Sequence, residues 1–244
     1  RIWKKQKEKR EPISGKMLEA LRYLAYHAHS DPSIAFTSKE AAVYDWVDFG
    51  LFTGSRLSEY GQSKVPKGAP VDWWAPIPSH NKDGSINTDI PPEWRGRPIA
   101  FLEEDLTFYD SSNCVLPLDY VLQQPQCAAR IHIRFRYDKS KFNFIYRVFA
   151  RIHCSHICPV KAGLSIIKRH RLMQRGPDAP LGAFKATDGS IHTIRGTHME
   201  ECIRAACTLA YPDPSHYFRQ HIKKLSSHSI RVFACVALHN ANVS

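Results

Sequence analysis

No stretch of about 18 apolar residues occurs anywhere in the 244-residue chain, so nothing in it reads as a membrane-crossing helix. The N-terminus, Arg1-Ile2-Trp3-Lys4-Lys5, lacks both an initiating methionine and the apolar core of a secretory signal. Internal repeats and low-complexity tracts are missing too. Cysteine occurs seven times, an odd number without a repeating framework, which fits reduced thiols in an intracellular compartment better than a disulfide scaffold. Acidic residues are in short supply, 23 against 34 Lys and Arg, giving a net charge of +11 and a pI near 9.4. That balance points to a polyanionic partner, nucleic acid ahead of a membrane surface. One local shortage is sharper: beyond Arg231 the chain holds no tyrosine, aspartate or glutamate.

What is present is the composition of a folded protein, 43% hydrophobic and 11% aromatic, long enough for one main domain with a substantial core. Residues 1–13, charged and closed by Glu11-Pro12, read as a linker, with Ser14 capping the first helix. Met17, Leu18, Leu21, Leu24, Ala25 and Ala28 recur at helical spacing until Asp31-Pro32 stops them. A second helix has Ser38 as N-cap and Glu40 in its first turn, and ends at Gly54. Prolines, glycines and the Trp73-Trp74 pair break every period over 62–100, the pattern of a surface insertion. Strands are expected over 105–109, 129–137 and 143–152, with Asp138-Lys139-Ser140-Lys141 as the turn between the last two. Helices are expected from Pro159 to Met173, from Thr197 as cap to Leu209, from Pro214 toward Lys224, and from Ser226 or Ser227 onward. The fold class is α+β, mostly helical, with a small three-stranded antiparallel sheet.

Basic residues gather over 1–10, 130–151 and 161–175 rather than spreading evenly. Alternation along the second strand puts His132, Arg134 and Arg136 on one face, opposite Ile131, Ile133 and Phe135. Arg130, Arg134, Arg136, Lys139, Lys141, Arg147 and Arg151 are therefore candidate phosphate contacts, each adding a counterion-release contribution to binding. Two arginine settings are more specific. Thr53-Gly54-Ser55-Arg56-Leu57-Ser58-Glu59 places Arg56 at the start of a helix, and Ser227-His228-Ser229-Ile230-Arg231 places His228 and Arg231 on one helical face.

The order of Thr-Gly-x-Arg-x-Ser-Glu, basic hairpin turn and His-x-x-Arg resembles the catalytic domain of the tyrosine recombinases, the phage-integrase family. Cys158-Pro159-Val160 and His228-Ser229-Ile230-Arg231-Val232 are similar to segments of its eukaryotic, mobile-element branch. The resemblance covers most of 14–244. It implies Arg56 and Arg231 as the phosphate-binding pair, His228 as the histidine partnered with Arg231, and a hairpin lysine on Lys139, with Lys141 the alternative, protonating the departing 5′ oxygen. Glu59 would brace this corner, or form a helix-surface ion pair. Arg134, Arg136, Lys141 and Arg147 would contact DNA. It further implies strand cleavage through a 3′-phosphotyrosine without metal or cofactor, double-stranded DNA as partner, a homo-oligomeric synapse and a nuclear location. The family's nucleophilic tyrosine follows the His-x-x-Arg segment, and Tyr211 and Tyr217 precede it, so the chain is expected to be a catalytic domain incomplete at its C-terminus, preceded by a missing DNA-binding domain. A catalytically inactive, domesticated DNA-binding module is the alternative.

Two other motifs carry less. His153-Cys154-Ser155-His156-Ile157-Cys158 offers four zinc-type ligands without a distant second pair, which favours buried thiols over a metal site. Trp73 and Trp74 fit loop packing better than base stacking.

Overall fold

In a computed structural model, residues 10–27, 29–62, 65–137, 143–153 and 156–240 are described. Helix α3 (Lys39–Thr53) is the axis of the domain. Trp46, Val47 and Phe49 have no exposed surface and Asp45 and Asp48 very little, so the helix is buried nearly all round, as a helix apolar on every side must be. Ser38 starts it, its hydroxyl accepting from the Ala41 amide at 3.2 Å. Gly54 ends it at φ 62°, a left-handed turn that costs glycine little.

Three of the helices packed around α3 build the core with it. The first, α1 (Gly15–His27), turns Met17, Leu18, Leu21 and Ala25 inward, and α6 (Pro159–Leu172) turns in Val160, Ile166 and Ile167. The third, α7 (Gly196–Ala210), packs on α1 as well. Asp31-Pro32 ends α1 as expected, and it also begins a short helix, α2 (Pro32–Thr37), because the Asp31 carboxylate accepts from the Ser33 amide.

The sheet is larger than the three strands expected. Its order is β2-β1-β3-β4, all antiparallel, from β1 (Leu106–Tyr109), β2 (Val115–Leu116), β3 (Arg130–Phe135) and β4 (Ile145–Ala150). β2 is two residues long, too short to show alternation, and pairs Val115 and Leu116 with Tyr109 and Phe108. Ile131, Ile133 and Phe135 face the helices, as the alternation predicts. A separate hairpin pairs β5 (Ala183–Lys185) with β6 (Ile191–Thr193) around Asp188-Gly189. The chemistry of that turn was in the sequence, but the strands are only three residues each. α4 (Leu57–Tyr60) follows α3, and α5 (Leu118–Gln123) follows β2. The stretch opened by Pro214 divides into α8 (Tyr217–Gln220) and a 3-10 turn at Ile222–Lys224, before α9 (Ser227–Asn240). Residues 65–98 carry isolated bridges and a 3-10 turn at Pro92–Trp94, with Ile77 and Ile90 buried beneath them. Among the described residues no helix is long and apolar enough to cross a membrane.

Asp48 joins α3 to α6 by accepting the Cys158 amide at 3.1 Å. Burial pushes its carboxyl up to about 7, against the pull of that hydrogen bond. The folded protein therefore keeps a proton that the unfolded chain gives up near pH ~3.9, so this group's stabilisation is complete below that pH and is lost as pH rises to about 7. Asp48→Asn, which keeps the acceptor, should flatten this part of the pH dependence and be more stable than the parent above neutrality by on the order of 2 kcal/mol. Urea unfolding at a series of pH values measures it, and parallel curves for the two proteins would refute it.

Candidate functional site

Arg56 stands at the mouth of a tightly held turn. The Thr53 hydroxyl bonds back to the Phe49 carbonyl at 2.9 Å and across to Ser55, fixing the reversal at Gly54. Glu59 then reaches back one helical turn. It accepts the Arg56 amide at 2.6 Å and sits 3.8 Å from the Arg56 guanidinium. Its side chain is only 7% exposed whereas that of Arg56 is 30% exposed, so Glu59 is a buried support beneath a solvent-facing cation rather than a surface pair.

The segment from Glu59 to Gln62 is sewn to two others, one of which is tied in turn to a third. The Phe101 amide bonds to the Glu59 carbonyl at 2.6 Å, the Gln62 amide to the Ile194 carbonyl at 2.8 Å, and the Leu181 amide to the Phe101 carbonyl at 2.9 Å. Beneath it Tyr60 stacks on Trp46, with ring centroids 5.0 Å apart, and Trp46 lies parallel to Phe101. Tyr60 is buried. Burial, then the Glu59 charge, push its phenol above the ordinary tyrosine range, and Arg231 pulls it back.

α9, which carries Arg231, packs on α3. Ile230 packs over Gly50 of α3, its methyl 3.4 Å from where a Cβ would stand. The helix is capped by Ser229, whose hydroxyl accepts the Ser226 amide at 3.0 Å. Ser229 and Ile230 are buried, Arg231 is half-buried and His228 is exposed. A third segment arrives from the sheet. Arg147 on β4 donates to the Thr53 carbonyl at 2.8 Å and lies over the Phe135 ring, so the β3–β4 hairpin is anchored beside the Arg56 turn. Arg147 was expected on DNA, and its guanidinium caps the end of α3. Lys139 and Lys141, assigned to the hairpin tip, lie outside the described residues.

Arg136 differs most from expectation. Alternation carried past Phe135 puts it outward with Arg134, but β3 stops at Phe135 and Arg136 turns in, 2% exposed. It pairs with Asp105 at 2.8 Å and donates to the Ala100 carbonyl. Arg134 pairs with the same carboxylate at 3.0 Å and lies over Trp94. Both arginines serve to fasten the 94–105 segment to the sheet, since a buried guanidinium is kept only where it is paired. Sequence reasoning missed Asp105 and Trp94, which carry no motif. Among the described residues no three His, Cys, Asp or Glu side chains gather as a metal would require, and the Cys158 thiol accepts the Ile152 amide at 3.3 Å. Cys154 lies outside those residues.

Comparisons of the chain with protein-family models, curated proteins and solved structures return no match.

The corner depends on a close backbone approach. A Cβ on Gly182 would fall 1.3 Å from the Tyr60 carbonyl oxygen. Gly182→Ala should therefore displace the Glu59–Gln62 segment and cost about 3 kcal/mol or more in urea unfolding. A loss under about 0.5 kcal/mol would show that the segment is not clamped there.

Proposed function

We propose that this chain carries the phosphate-gripping part of a DNA strand-exchange site of the tyrosine-recombinase type, in a catalytic domain whose partner is duplex DNA. The observation that carries it is a convergence. Far apart in sequence, Arg56 just past α3 is backed by the buried Glu59, Arg147 of the basic β3–β4 hairpin bonds to the Thr53 carbonyl at the same turn, and α9, which carries Arg231, packs on α3 through Ile230 at Gly50. Two guanidiniums on one phosphodiester would offset the charge that builds on its equatorial oxygens during in-line displacement. His228, exposed one turn before Arg231, would donate to the same oxygens.

In that chemistry a tyrosine oxygen attacks phosphorus, the bond from phosphorus to the 5′ oxygen breaks, and the leaving oxygen takes a proton from a hairpin lysine, Lys139 or Lys141. The DNA is left 3′-linked to the protein, and the reverse attack by a 5′ hydroxyl on a second strand completes the exchange in a multimeric synapse. Such an enzyme would work in the nucleus of a eukaryotic host. No tyrosine follows Arg231 in these residues. Tyr60 is buried under Trp46, and Tyr211 is tied to Ser14 at 2.8 Å, so neither is free to attack.

The burial of Tyr60, the tyrosine that is brought to the corner, favours a second function for the 244 residues by themselves: a basic module that grips DNA without cleaving it. A nicked duplex separates the two. Protein carrying this chain should form a denaturation-resistant 3′-linked DNA adduct, and Arg231→Ala should reduce its formation by about 10²–10³-fold. Failure to form an adduct, with duplex binding retained, would leave only the binding module.

A further inference from the structure

A cleft of about 260 Å³ opens where α2, α5, α6 and the end of β4 meet. Lys161, Ser165 and Lys168 recur at four and three residues, so they form one stripe along the exposed side of α6. The adjoining Arg169 belongs to the buried side of that helix, where it pairs with Asp45. Arg151, just past β4, faces the stripe, and the floor is apolar, from Phe36, Leu122 and their neighbours. No carboxylate lines the cleft among the described residues.

Two of these cations are held there by neutral groups. Arg151 donates through Nε and Nη2 to the carbonyls of Ala128 and Pro125, which orients the guanidinium without neutralising it. The Lys168 ammonium lies 5.8 Å from the centroid of the Phe36 ring. Three like charges around one apolar floor repel one another, an arrangement that an anion relieves.

The position in the fold says which anion. Arg147 on β4 and Arg151, one residue past its end, are four residues apart, about 13 Å along extended backbone, which is roughly four nucleotides along the axis of a B-form strand. Arg147 holds the base of the Arg56 turn and Arg151 lines the cleft, so the two sites lie at either end of this stretch of backbone, a spacing that suits one nucleic-acid strand. We propose that the cleft is a second phosphate-binding site, which takes a backbone phosphodiester of a nucleic-acid strand and sets the adjoining nucleoside against Phe36 and Leu122. This goes beyond the strand-exchange proposal and needs no cleavage.

Lys161 and Lys168 are exposed, so their replacement leaves the core intact. Fluorescence anisotropy with a short labelled duplex should show that K161A/K168A weakens binding about tenfold near 0.1 M salt, and lowers the slope of log affinity on log salt by roughly 0.9 per lysine lost. The exposed pair K67A/K82A removes the same charge elsewhere and should change affinity less than about twofold. The same comparison in an Arg231→Ala background keeps the cleft's contribution separate from that of the arginine corner. Equal losses for the two double variants would overturn the proposal. Saturable binding of AMP or inorganic phosphate at the cleft, with duplex affinity unaffected by K161A/K168A, would overturn it as well and make the cleft a small-molecule site.

Discussion

The backbone of Glu59 to Gln62 runs so close to Gly182 and Ile194 that side-chain atoms cannot come between them. On this contact the rest of the arrangement depends. With the segment pinned on both sides, Glu59 has one place for its carboxylate, under the Arg56 amide, and Tyr60 has one place for its ring, on Trp46. Trp46 lies at the centre of α3, which links the pinned segment to the aromatic column of Phe49, Phe101 and Phe135 and through it to the sheet. The solvent-facing Arg56 therefore rests on the most deeply buried part of the molecule. Such rigid support keeps a charged group oriented without ordering it anew at each binding event.

A net charge of +11 does not distribute as a uniform field. Several arginines of the clusters are consumed by the fold: Arg136 and Arg134 on Asp105, Arg169 on Asp45, and Arg171 on Glu103. Burial pushes the Asp105 carboxyl upward, and Arg136 and Arg134 oppose it, so the pair and the triad have to be kept whole. The cations that remain for a polyanion are those whose partners are neutral carbonyls or solvent. Arg147 and Arg151 belong to the first kind, and Lys168 to the second.

The long elements are legible in the sequence because each carries several agreeing signals. α3 has the Ser38 cap, an apolar run and Gly54, and α6 has Pro159 at its first position and apolar residues at helical spacing. β3 and β4 show alternation or β-branched and aromatic content over six residues each. The two-residue β2 and three-residue β5 and β6 offer no such pattern, since they are held by pairing partners that the local sequence does not name. The same limit applies to the site. Arg56 and Arg231 stand out by their motifs, but α9 is brought to α3 by the packing of Ile230 against the bare backbone of Gly50, 180 residues away in sequence. Arg136 reads as an outward cation from its strand position, and only Asp105, brought by β1, makes its burial affordable.

The central claim is that Arg56 and Arg231 grip one phosphate. A double-mutant cycle on duplex affinity, with Arg56→Ala, Arg231→Ala and the two together at fixed salt, tests it most directly. Two cations on one phosphodiester should be non-additive, with a coupling of about 1 kcal/mol or more. Additivity within about 0.3 kcal/mol would place them on separate phosphates and contradict the shared site.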